Sequence, residues 1–277
     1  MAGSGVFPKS QNDKIYSGDY NAIRSVAGGV VESFYGNPMS SNNVTKEKIT
    51  AAQMGSLRYD INRAYKHITG VNGIGTVLAR GNKVTATNFN SYKNTADYCE
   101  TNKLLVHPTQ LATTIYSNNI TSTWTGTHVW QTVFTWSTNA KATYFFNAGG
   151  YFEVGTNGTN STGSTQDKLW HHLLNTMPLQ TYTRNNWIYN IDINRKYHGG
   201  GYYGYGYGYG YGYGYGYASD YIRTQVQKIA ANQLMVTITL HAHLSNINTD
   251  AHGTITEYCS VDAIIEESPA RTTVSIW

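Results

Sequence analysis

Lys48-Ile49-Thr50-Ala51-Ala52-Gln53-Met54-Gly55-Ser56-Leu57-Arg58 is the stretch on which the reading of this 277-residue chain turns, because it occurs three times. Upstream, Lys14-Ile15-Tyr16-Ser17-Gly18-Asp19-Tyr20-Asn21-Ala22-Ile23-Arg24 aligns with it at a spacing of 34 residues. Downstream, Lys83-Val84-Thr85-Ala86-Thr87-Asn88-Phe89-Asn90-Ser91-Tyr92-Lys93 aligns at 35. Each unit reads as an extended Lys-Ile/Val step, a cap, and a helix with an aromatic residue or Met on its inner face.

The middle copy is the clearest helix. Thr50 and Gln53 form a capping box, and Met54, Leu57, Ile61, Ala64, Tyr65 and Ile68 recur every three or four residues. Gly70 ends it in the left-handed conformation. The first copy carries Tyr20, Ile23, Ala27, Val30 and Phe34 on one stripe; the third carries Phe89, Tyr92, Ala96 and Cys99, so Cys99 reads as a small core filler. A period of 34 matches tetratricopeptide repeats, but their Trp/Gly/Pro signature is absent. Three units predict a compact helical head over residues 1–108.

Beyond Pro108 the period changes. Runs 127–136, 142–146, 151–154, 187–193, 234–244 and 254–265 are rich in β-branched and aromatic residues and read as strands. Leu234, Val236, Ile238, Leu240, Ala242 and Leu244 alternate with Met235, Thr237, Thr239, His241 and His243, a strand with one buried face. Asn147-Ala148-Gly149-Gly150 reads as a hairpin between two of these runs. One helix, capped by Ser164 or Thr165, presents Leu169, Trp170, Leu173, Leu174 and Met177. The predicted class is α+β, mainly β: the helical head, then an antiparallel β-sandwich with one helix over residues 109–277.

Composition narrows the function. Charged residues make up 13% of the chain, about half the usual share. Thr and Asn, with 34 and 26 copies, fill the difference. A net charge of +4 is no basic patch, which argues against a nucleic-acid partner. The excess is local: residues 1–110 hold 12 Lys and Arg against 7 Asp and Glu, the remainder 8 against 9. No apolar run approaches the ~18 residues of a membrane span. Cys99 and Cys259 are too few for a disulfide framework.

Residues 48–62, followed by Tyr65-Lys66-His67-Ile68-Thr69-Gly70, resemble the helical head of virion structural proteins of tailed phages, of the marine T4-like and cyanophage type. Tyr144-Phe145-Phe146-Asn147-Ala148-Gly149-Gly150-Tyr151-Phe152-Glu153-Val154, then Trp170-His171-His172-Leu173-Leu174-Asn175-Thr176-Met177, resemble the sandwich of the same proteins. The resemblance spans most of residues 15–265 and implies a tail, fibre or neck component. It implies other virion proteins as partners, and location in the virion after synthesis in the host cytoplasm and release by lysis. Met1–Pro8 lack the charged start and apolar core of a secretion signal, which fits that expectation.

Residues 199–217 depart from the family: they hold 10 Gly and 9 Tyr and nothing else. In an extended strand Tyr203, Tyr205, Tyr207, Tyr209, Tyr211, Tyr213, Tyr215 and Tyr217 project from one face and glycines from the other. Such an arm suits a seam between subunits, a tip stacking on host glycans, or a tolerated repeat in a surface loop. His241 and His243, two apart on one strand, are weak metal candidates that could meet on a trimer axis. Gly70-Val71-Asn72-Gly73-Ile74-Gly75 follows a helix and lacks the Lys-Ser/Thr of a phosphate loop. Neither a paired-carboxylate site nor a Ser-His-Asp set stands out, and no cofactor is expected. The sequence thus predicts a non-enzymatic virion structural protein acting as a homo-oligomer, a trimer favoured. The alternative is a receptor-binding adhesin whose Tyr-Gly arm contacts host surface glycans.

Overall fold

A computed structural model describes residues 7–11, 13–45, 48–75, 77–79, 81–121, 126–159, 165–198, 220–241, 254–263 and 269–276. The chain divides into two compact units, Met1–Ala112 with Asn147–Gly149 and Ile264–Glu266, and Thr113–Phe146 with Gly150–Ala263 and Glu267–Trp277.

The repeat becomes a three-helix bundle: α1 (Ser17–Gly28, continued by a π-helical turn Gly29–Phe34), α2 (Ala51–Thr69) and α3 (Ala86–Asn102). The residue three places into each helix caps it, as Asp19, Gln53 and Asn88 each accept the N–H of Tyr16, Thr50 and Thr85. Ile15, Ile49 and Val84, which precede the three helices, line one cavity. Val30, Ala64 and Cys99, near the other ends, share one apolar cluster. The helices therefore run parallel. Between these ends, aligned positions stack in layers: Tyr20/Met54/Phe89, Ile23/Leu57/Tyr92 and Ala27/Ile61/Ala96, each at most 2% exposed.

Parallel helices need long returns, and polar side chains on the helices hold them. Asp60, fully buried, accepts the N–H groups of Ser40 and Ser41 at 2.9 and 2.8 Å. Asn62 accepts from Gly73 and Ile74 and donates to the Ile74 carbonyl. Gly70 closes α2 at φ 82°, so the Gly70–Gly75 stretch is a helix exit tied to α2. The ties repeat cyclically. On α1, Asn21 exchanges two hydrogen bonds with Val44, and Arg24 reaches the Ser41 carbonyl. On α2, Arg58 reaches the carbonyls of Ile74 and Gly75. On α3, Asn90 exchanges two bonds with Lys9, and Lys93 lies over the Phe7 ring. Each helix thus grips the strap that leads into another. Lys9 also pairs with Asp19 at 2.8 Å, both side chains buried.

The second unit holds two sheets. Its elements are β1 (Ala112–Ile120), β2 (Thr127–Thr135), α4 (Asn139–Asn147), β3 (Tyr151–Thr159), α5 (Thr165–Thr176), β4 (Gln180–Tyr182), α6 (Arg184–Tyr189), β5 (Ile193–His198), β6 (Tyr221–Ala230), β7 (Gln233–His241), β8 (Thr254–Ala263) and β9 (Ala270–Ile276). One sheet runs β1-β8-β3-β4 and the other β5-β6-β7-β2-β9. β2 pairs antiparallel with β7 and β9, and β3 with β4 and β8. One core joins the sheets. Phe134 of β2 meets Phe152 of β3 at 4.8 Å, and Trp136 lies 5.2–6.1 Å from Phe145, Phe146, Phe152 and Trp187. The alternation expected of β7 is present, with Leu234, Val236, Ile238 and Leu240 fully buried.

The α+β class stands, but several local expectations do not. Residues 142–146 are helix, and 147–150 connect α4 to β3 instead of turning a hairpin. Ala142, Phe145 and Phe146 bury at helical spacing, and the Phe145 carbonyl takes the Gly150 N–H at 2.9 Å. Gly149 adopts φ 85° with Val106 where a Cβ would sit. Residues 187–189 are also helix. Thr183 and Asn186 cap α6, Asn190 ends it at φ 53°, and the strand begins only at Ile193. The second unit therefore has three helices among its described residues, not one. β1 was not expected. Residues 242–244, at the end of the β7 run, lie outside the described residues.

His67 is 8% exposed, its ring 4.5 Å from that of Tyr35, and burial pulls its imidazole from 6.5 to about 4. The unfolded chain takes up this proton below about pH 6.5 and the folded chain only below about 4. Its contribution to stability is therefore complete above pH 6.5 and falls by about 3 kcal/mol as the pH drops to 4. Unfolding of the wild type between pH 7 and 4 should show this slope, and a His67→Leu variant should lose that part of it. A second expectation comes from Gly55, which lies inside α2 with nothing within 4 Å of an added Cβ. Gly55→Ala should stabilise the bundle by about 0.5–1 kcal/mol in urea unfolding.

Candidate interaction site

The arm residues Tyr203, Tyr205, Tyr207, Tyr209, Tyr211, Tyr213, Tyr215 and Tyr217 lie outside the described residues, as does His243. His241 is placed, in mid-sheet. It stands opposite Thr127 of β2 and Tyr221 of β6; its Nδ1 meets Thr127 Oγ1 at 2.7 Å, and its ring stacks on Tyr221 at 4.7 Å. These contacts engage it as a cross-strand residue. Among the described residues no three His, Cys, Asp or Glu side chains gather as a metal requires. His171 is buried against Gly158 while its neighbour His172 is exposed, so the pair does not serve one site.

Titratable groups moved from their ordinary values belong to the packed interior. Burial pushes the Cys99 thiol and the Tyr20 hydroxyl up to about 12. Tyr35, Tyr92 and Tyr182 are raised for the same reason, with Asp192 adding to the shift at Tyr182. Cys99 is 1% exposed with its Sγ 3.9 Å from the Ile61 carbonyl, a packed filler at neutral pH.

Surface features lie elsewhere. The N-terminal end of the bundle holds a cavity of about 410 Å³ lined by Asp13, Ile15, Lys48, Ile49 and Val84. Ile15, Ile49 and Val84 are equivalent positions of the repeat, and each follows an exposed lysine: Lys14, Lys48 and Lys83. Three helices begin here, so their dipoles add to the positive potential of the lysines. The arrangement is an apolar floor with Lys48 and Asp13 in its lining and two further exposed lysines one residue from it in sequence. Its chemistry is attraction and burial, since the lining offers one carboxylate and no nucleophile beside a base.

The second unit has a different feature. Gln180, Thr181, Asn186, Ile191, Asp192, Ile193, Asn194 and Arg195 line a cleft of about 350 Å³ between β4, α6 and β5. Around the turn that Asn190 makes, Ile188, Tyr189 and Ile191 are 40%, 70% and 51% exposed. The buried Trp187, stacked on Phe146 at 5.0 Å, anchors this turn to the core. A cleft lined by amide, carboxylate and guanidinium groups suits polar ligands.

Neither surface was found from the sequence. The lysines were visible as repeat members, but their convergence depends on the helices being parallel. α6 was hidden by aromatic residues that read as strand. No protein-family model matches the chain, and no curated protein matches it. Among the described residues no helix is long and apolar enough to cross a membrane.

Proposed function

We propose that this chain is a non-enzymatic structural protein of a tailed-phage virion, a tail, fibre or neck component that works by assembling with itself and with other virion proteins. The observation that carries the reading is the basic, apolar-floored end of the three-helix unit. Its cavity is lined by Ile15, Ile49 and Val84 with Lys48 and Asp13, the exposed Lys14 and Lys83 directly precede Ile15 and Val84 in the chain, and it offers a face for docking. The shifted titratable groups in the core support the same reading, because each is explained by packing. The resemblance of residues 48–70 and 144–177 to virion proteins supplies the setting, with synthesis in the host cytoplasm and release by lysis.

Reversing these lysine charges tests the docking role. A Lys14→Glu/Lys48→Glu/Lys83→Glu variant changes only exposed side chains, so each substitution should alter stability by no more than about 0.5 kcal/mol. Complementation followed by protein quantitation in purified particles should show its incorporation reduced by about tenfold or more. Incorporation at the wild-type level would sink the docking role.

The second reading is a receptor-binding adhesin, and the polar cleft between β4, α6 and β5 favours it. Deleting residues 203–216 separates the two. Under the structural reading the deletion impairs particle assembly. Complete particles that fail to adsorb to host cells would establish the adhesin instead, and complete, adsorbing particles would leave the Tyr-Gly tract a tolerated repeat.

A further inference from the structure

Several of the polar groups that line the cleft between β4, α6 and β5 are already committed, and their bonds brace its walls. Asn186 is the centre of this bracing. Its Oδ1 accepts from the N–H and the hydroxyl of Thr183, both at 3.0 Å, and its Nδ2 donates to the Ile191 carbonyl. The Ile191 N–H in turn donates to the Asn186 carbonyl at 2.8 Å, so α6 and the turn after it are clamped together. Gln180 Nε2 reaches the Tyr197 hydroxyl and the carbonyls of Pro178 and Leu179. Asn194 Oδ1 accepts from Arg223 Nε at 2.8 Å. A cleft held this way meets its ligand preformed, without the cost of ordering its own walls.

Two lining groups stand apart from this network. Among the described residues, neither the Asp192 carboxylate nor the Arg195 guanidinium holds a hydrogen bond or an ion pair. They are of opposite sign in one cleft, yet they do not pair with each other. A carboxylate only accepts and a guanidinium only donates, so a ligand that serves both must offer donors and acceptors side by side. A hydroxyl is both, and adjacent hydroxyls on one ring answer both groups at once. The charges of Asp192 and Arg195 cancel, which leaves the lining no net charge to draw in an anion or a cation. The other polar lining is amide and hydroxyl, from Gln180, Thr181, Asn186 and Asn194. Ile191 and Ile193 add the apolar surface that the C–H face of a sugar ring covers. A volume of about 350 Å³ lies at the small end of ligand sites, room for a sugar ring and too little for a folded partner.

We infer that this cleft binds a neutral sugar residue of a glycan. Asp192 accepts from its hydroxyls, Arg195 and the Asn194 amide donate to them, and Ile191 and Ile193 meet the ring. The inference deepens the adhesin reading and moves its contact away from the Tyr-Gly tract: residues 193–195 open β5, whereas the tract follows its last residue. It rests on that reading only for the role that binding serves.

Saturation-transfer NMR of the full-length chain tests it, with glucose, galactose, mannose and N-acetylglucosamine each at ~10 mM, tenfold above a Kd of about 1 mM. At least one of them should bind. Asp192→Asn/Arg195→Gln changes only exposed side chains, so it should leave the melting temperature unchanged and weaken that sugar by about tenfold or more. Deleting residues 203–216 should leave binding as in the wild type. Glycine, which carries two opposite charges and no alcohol hydroxyl, is the contrasting probe. Binding that survives the double variant would overturn the sugar site, as would glycine binding where no sugar does. So would binding lost on the deletion in a chain that melts as the wild type does, or silence from all four sugars. The adhesin reading is judged separately, by adsorption of particles, and stands or falls on that result.

Discussion

Three helices that all begin at the same end can be joined only by chain that travels back along their full length. Helices of 17 and 19 residues span roughly 25–29 Å, and each return of about 15 residues reaches about 50 Å, so the path is feasible. Its cost is polar. The returns between α1 and α2 and between α2 and α3 have little regular structure to satisfy their backbone groups. Asp60, Asn62, Asn21, Arg24 and Arg58 supply that satisfaction from the helix surfaces. The parallel order, the converging N-termini and the lysines at that end all depend on these bonds. Leaving a buried backbone group without its partner costs about 1–3 kcal/mol, comparable to the gain from burying one large core side chain.

The second unit solves a different problem by different means. Its strands satisfy one another's backbones, so its specificity rests on side-chain shape. Trp136 shows how. Its ring meets four aromatic rings from three other elements, while its backbone exchanges bonds with Asn232 at the β6–β7 turn. Contacts of this kind fix where α4 and α6 rest on the sheets. They also explain why an exposed turn such as Ile188–Ile191 keeps its form: Trp187, one residue earlier, is locked.

The three helices of the first unit were legible because periodicity and capping are local properties, and Thr50 with Gln53 states both. The buried side chains that hold the returns were not. Asp60 and Asn62 lie off the apolar stripe of α2, and only tertiary structure reveals that backbone covers them. In the second unit the strand propensity of Tyr144-Phe145-Phe146 and Trp187-Ile188-Tyr189 masked two helices. The contrary signals were present in the Ala142/Phe145/Phe146 spacing and the Thr183/Asn186 cap. β1 escaped notice because Thr, Ser and Asn occupy most of its exposed positions. The Tyr-Gly tract, the most conspicuous feature of the sequence, falls outside the described residues, whereas the surfaces that are described arise from inconspicuous ones.

The cyclic grip of the straps has a temporal side. Val44 finds Asn21 behind it in the chain, so that bond can form as soon as both have been synthesised. Lys9 must wait for Asn90, 81 residues later. The strap ahead of α1 is therefore the last part of the bundle to reach its place, and Phe7 and Lys9 close a ring that the third helix completes. Until then the inner face of α1, with Tyr20 and Ile23, lacks one of its two helical neighbours. During synthesis the bundle is an open trough, sealed by the strap that precedes its first helix.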